Sequence, residues 1–95
     1  MNKLQELELM DKFQRELKDL EQRQTAVLKK TSQIAAHNIT LSAPMLDQKL
    51  PDLQTKIDGS QVTVTEISEA FDAYREKFFT DNKMATQIDP TASAA

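Results

Sequence analysis

His37 is the single histidine and the chain has no Cys, which removes thiolate nucleophiles, thiolate metal sites and disulfides from consideration. His37 stands at the end of a helix-forming stretch, and no second metal-ligand residue type recurs around it at a fixed spacing. It reads as a surface or capping residue. The 15 Asp and Glu are numerous enough for general acid or base chemistry, but that chemistry needs a carboxyl held in an apolar pocket that shifts its pKa. Here the acids recur beside bases at helix-surface spacings: Glu8 with Lys12, Asp11 with Arg15, Asp19 with Arg23. Such pairs contribute only about 0.2 to 0.5 kcal/mol each and mark a solvated face. One Gly cannot build a phosphate-cradling loop. Lys29 and Lys30, opposed at the other end of the stretch by Glu6, Glu8 and Asp11, complement a helix dipole rather than forming a phosphate site. The residue types therefore point to no catalytic, cofactor-binding or metal-binding set, and away from an enzyme.

The element carrying most of these residues is the stretch from Asn2 to Ala36, which no Pro or Gly interrupts and strong helix formers fill. Its apolar residues fall at alternating spacings of three and four, the heptad pattern of a helix that buries a narrow seam. In that frame Met10, Leu17, Gln24 and Thr31 take the a-like positions, and Phe13, Leu20, Val27 and Ile34 the d-like ones. The d row is wholly apolar. Gln24 and Thr31 interrupt the a row, and polar groups at such sites cost stability unless a partner satisfies them, so they fix register or partner choice. Leu4 and Leu7 fall outside this frame and Leu9 on another face, widening the apolar surface near the N-terminus. Two readings stay open: the core face of a small bundle, or an intermolecular coiled coil.

About 34 helical residues at roughly 1.5 Å each make a rod of about 50 Å, longer than a compact domain of this size is wide. The rest of the chain must pack against it. His37 and Asn38 end the helix, with Ile39 to Ser42 as a short extended link, and Asn38-Ile39-Thr40 matching a glycosylation sequon. A second helix is expected from Ala43 or Pro44, with Ser42 as its cap, a kink or restart at Pro51, and a stop at Asp58 and Gly59, the one glycine. A third is expected from Thr63, which forms an S/T-x-x-E capping box with Glu66, flanked by the Val62 and Ile67 staple. The packing face of these two helices comprises Leu46, Leu50, Leu53, Ile57, Ile67, Phe71, Tyr74 and Phe78. All aromatics but Phe13 lie in the third helix, an arrangement that makes a core against Phe13 and Leu17.

The expected fold is all-α: a long N-terminal amphipathic helix with two shorter helices folding back as a hairpin or small bundle of coiled-coil character. Residues 1–84 would form one domain, and residues 85–95, with Pro90 and small residues, a disordered tail. A single Gly and 39% hydrophobic residues fit an all-helical class, and 28% charged residues a soluble one. Apolar runs of two or three residues exclude membrane insertion by a spanning helix, and Glu6, Glu8 and Asp11 break any signal peptide. That predicts a cytoplasmic protein or one exported without a cleavable signal. The net charge of −3 divides unevenly, with seven Lys or Arg against six acids in residues 1–36 and five against nine in residues 37–95. No basic stripe for nucleic acid appears.

The function expected from this pattern is a non-enzymatic protein–protein interaction module, an adaptor, chaperone or assembly and scaffold component. Its partner would be another protein or a second copy, met through Met10, Phe13, Leu17, Leu20, Gln24, Val27, Thr31 and Ile34. The alternative is an acidic regulatory inhibitor of the antitoxin or anti-sigma type, whose second half masks a basic surface.

Overall fold

The computed structural model describes residues 1–88, and all regular structure among them is helical: α1 (Lys3–Leu41), α2 (Pro44–Asp81) and the short α3 (Met84–Ile88). The fold is all-α, with α1 and α2 packed against each other as a hairpin.

Each helix end has a chemical cause. At the start of α1, Asn2 Oδ1 accepts from the Gln5 amide at 2.7 Å, and the Asn2 amide donates back to Gln5 Oε1 at 2.9 Å. That is a reciprocal capping box in which N-x-x-Q replaces the commoner residues. At the other end α1 runs through His37, Asn38 and Ile39 to Leu41, so the extended link expected at 39–42 is mostly helix. Ser42 is not a helix-starting cap. It takes a left-handed conformation (φ 57°) with its amide donating to Asn38 O at 2.7 Å, the closing geometry usually given to glycine. Asn38, 5% exposed, then ties the two helices together: its Oδ1 accepts from the Ala43 amide at 2.8 Å, and its Nδ2 donates to Asp47 Oδ1 at 2.8 Å.

The two shorter helices expected after the connector are one helix. α2 passes through Pro51 and Gly59 without a break. Gly59 has no left-handed φ, and its carbonyl accepts from Thr63 Oγ1 at 3.1 Å. Thr63 and Glu66 therefore lie in mid-helix, not in a capping box. The local signals were real, but stopping a helix costs the packing on either side. One interior glycine costs only about 1 kcal/mol relative to alanine, less than the burial of Ile57 and Val64 on its two sides returns. α2 ends where Lys83 turns left-handed (φ 52°), and α3 follows at Met84–Ile88, where the sequence suggests a tail. The remainder of that expected tail, 89–95, lies outside the described residues.

The chain divides into two compact units. Unit 1 joins Met1–Lys18 to the residues from Ile67 onward, and its interior holds Leu7, Met10, Ser68 and a fully buried Met84. Phe13 and Phe71 meet edge to face at 5.9 Å, and Phe71 stacks obliquely on Tyr74 at 5.8 Å. Arg75 donates to Asp11 at 2.7 Å and lies over the Phe79 ring, while Gln14 Nε2 donates to Asp72 at 2.8 Å. Unit 2, Asp19–Glu66, has a more polar seam. Leu50, Ile57 and Val64 are buried, but so are Thr31 and Asn38. Gln24 Nε2 donates to Ser60 Oγ at 3.1 Å and Gln61 Nε2 to Thr25 Oγ1 at 3.0 Å, so polar seam residues find their partners on the facing helix.

Candidate functional site

Apart from Glu6 and Asp11, both half-buried beside it, the residues of α1 that are buried or half-buried are Leu7, Met10, Gln14, Leu17, Glu21, Gln24, Leu28, Thr31, Ala35 and Asn38, a repeat of three and four. α2 shows the same repeat from Leu50 through Gln54, Ile57, Gln61, Val64, Ser68, Phe71 and Arg75 to Phe78. This is a heptad seam. It divides the residues singled out from the sequence into two classes. Met10, Leu17, Gln24 and Thr31 turn inward. The wholly apolar row does not: Phe13, Leu20, Val27 and Ile34 are 40 to 49% exposed. The second row of the seam is instead Leu7, Gln14, Glu21, Leu28 and Ala35, one residue further on in each heptad.

The same division runs through the packing face of α2. Leu46, Leu50, Ile57, Phe71 and Phe78 are buried or half-buried, whereas Leu53, Ile67 and Tyr74 are 45 to 59% exposed. These three, with Ser60, are spaced by sevens just ahead of the inward Gln54, Gln61, Ser68 and Arg75.

In unit 1 the outward row shares a side with α2's outward row, because Phe13 and Tyr74 both touch the ring of Phe71 or line a shallow groove of about 310 Å³ together with Leu9. In unit 2 the hydrogen bonds fix the sides. Gln24 reaches Ser60, which belongs to the outward row of α2, while Gln61 reaches Thr25, on the opposite flank of α1. Leu20, Val27, Ile34 and Leu53 therefore flank the seam of unit 2 on one side.

What this arrangement offers is apolar surface at helical spacing next to a seam that is itself part polar. An exposed leucine alone needs no explanation. A row repeating by heptads is different, since its period matches what a further helix would bury. Among the charged groups Arg23 Nε donates to Asp19 at 2.7 Å, and that hydrogen bond, with the charge of the carboxylate, raises the guanidinium pKa. Among the described residues no three His, Asp or Glu come together as a metal-binding group, and no helix is long and apolar enough to cross a membrane.

The true N-terminal capping box at Asn2 and Gln5, and the clamp at Asn38, are the structural residues that sequence reasoning missed. The first was legible as N-x-x-Q ahead of a helix. Met84, fully buried, carried no signal beyond its apolarity. No protein-family profile, curated protein or solved structure matches the chain.

Proposed function

We propose that this chain is a helical protein-interaction module, working as an adaptor, chaperone or assembly component, and that its outward apolar rows are the contact. One observation carries the reading: Leu20, Val27 and Ile34 stand outside at heptad spacing while Gln24, Thr31 and Asn38 occupy the seam. A helix pair folding only for itself would gain by the reverse placement, since burial of a Val, Leu or Ile side chain contributes about 1.5 to 3 kcal/mol. The exposed row is consistent with selection for a partner, either another protein or a second copy.

The test separates partner contact from core packing. Leu20→Asp and Val27→Asp put charges on residues that are 40 and 49% exposed, so the monomer's circular dichroism should be kept and its melting temperature fall far less than for a buried site, while association, read by sedimentation or co-purification from the native host, should be lost. Leu50→Asp, by contrast, should unfold unit 2. A chain that stays monomeric at micromolar concentration and brings down no partner would remove the basis for the proposal.

A second reading, an acidic inhibitor, draws on Asp58, Val62 and Glu66, which line one open groove on α2 at spacings of four. Substitution discriminates: contact through the apolar rows should be lost with Val27→Asp and survive Asp58→Asn with Glu66→Gln, whereas an acidic mimic should show the reverse.

A further inference from the structure

Resting on that reading, the charges around the outward row of unit 2 narrow the partner. Residues four before and three after a helical position lie one turn away on the same side. Arg23 and Lys30 bracket Val27 in this way, Lys30 and His37 bracket Ile34, and Lys49 and Lys56 bracket Leu53. Leu20, at one end of the row, stands between Glu16 and Arg23, so the basic rim begins at Arg23 and runs from there along both helices, although unit 2 as a whole has six acids against five Lys or Arg. Arg23 and Lys56 are each paired with an acid one turn back, Asp19 and Asp52. Lys30 and Lys49 have no ion-pair partner among the described residues. The outward row of unit 1 lacks this rim: Phe13 stands between Leu9 and Glu16, and Tyr74 between Ala70 and Lys77.

Three occupants compete for such a surface. A second copy presenting the same row would set Lys30 and Lys49 against like charges, which is destabilising. An anionic bilayer would suit the charges, but interfacial helices carry Trp or Phe on a broad apolar face, and the row in unit 2 has no aromatic, one apolar residue per heptad on α1, and Leu53 followed by polar Ser60 on α2. An amphipathic helix with carboxylates along both edges of its apolar stripe satisfies both the spacing and the charge. We propose that unit 2 binds an acidic amphipathic helix of a partner protein along Leu20, Val27, Ile34 and Leu53, with Lys30 and Lys49 pairing its carboxylates.

The full chain can be titrated by fluorescence anisotropy with a labelled peptide of about three heptads bearing Leu at a and d and Glu at the flanking positions. The comparison is a matched peptide with Lys in place of Glu, together with vesicles of phosphatidylcholine and phosphatidylglycerol. The Glu peptide should bind at least about tenfold more tightly than the Lys peptide, as the sum of several exposed ion pairs. Lys30→Glu with Lys49→Glu should invert that order, and Val27→Asp should abolish both. Equal affinity for the two peptides, no binding of the Glu peptide, or binding to vesicles alone would overturn the inference. Should the peptides fail while the unmutated chain self-associates and Val27→Asp disperses it, the interaction module stands with a second copy as occupant; should self-association fail too, both readings fall.

Discussion

Asn38 uses one side chain to close two helices, accepting from the Ala43 amide and donating to Asp47 from a site almost without solvent. Removing one partner of a buried hydrogen bond leaves the others unsatisfied at about 1 to 3 kcal/mol, so Asn38→Ala should lower unfolding free energy by that amount in a urea titration. Asn38→Asp should cost more at neutral pH, because it loses the donor and sets a carboxylate beside Asp47. Equal stability of the two variants would show that the clamp is not what holds the connector. Ser42 offers the opposite case: a non-glycine residue in left-handed geometry carries about 1 kcal/mol or more of strain, and Ser42→Gly should recover part of it. Residue-level chemistry of this kind was only partly legible. Asn38 was readable as a helix end, yet its position inside the connector depends on Ala43 and Asp47 folding back, which no local motif encodes.

At the scale of the element, Gly59 and Pro51 decide between two helices and one. The sequence marks Asp58-Gly59 as a stop, and as a left-handed cap Gly59 would resist any side chain. In the structure it is an interior helical residue with open space where a Cβ would sit. Gly59→Ala should therefore raise stability by about 0.5 to 1 kcal/mol, read as a higher melting temperature; a loss would restore the stop. Pro51, exposed on α2, withholds an amide from the helix, and Pro51→Ala should add up to roughly 3 kcal/mol. The heptad periods of α1 and of both parts of α2 were readable from apolar spacing. Which rows meet was not. Apolarity singled out Phe13, Leu20, Val27 and Ile34 because they need cover, while the hairpin turns half-buried Gln14, Glu21 and Gln24 inward, and the facing partners Asp72 of Gln14 and Ser60 of Gln24 are supplied only by the fold.

Over the whole molecule, the two units are built from different interactions and should not open at the same free energy. Local stability follows buried apolar contact, and aromatic pairs add about 0.5 to 1.5 kcal/mol beyond their area. Unit 1 has Phe13, Phe71 and Tyr74 in ring contact, Arg75 held between Asp11 and Phe79, and Met84 fully enclosed. Unit 2 has Leu50, Ile57 and Val64 but seats Gln24, Thr31, Gln54 and Gln61 along the same seam. Hydrogen bonds such as that from half-buried Gln24 to exposed Ser60 return about 0.5 to 1.5 kcal/mol at most and less when water competes. Native-state hydrogen exchange should accordingly find its slowest amides in α1 from Leu7 to Leu17 and in α2 from Phe71 to Phe78, with those from Gln24 to Thr31 and Gln54 to Gln61 exchanging through a lower-energy opening. A ligand that binds only the folded form adds stability by mass action, about 2.7 kcal/mol at a hundred times its Kd. The acidic helix, seated on Leu20, Val27, Ile34 and Leu53, should therefore slow exchange in unit 2 and leave the slowest amides of unit 1 nearly unchanged until unit 2 matches them. Uniform protection across both units in the free chain would mean that α1 and α2 open as one, and that the polar seam is no weaker than the aromatic one.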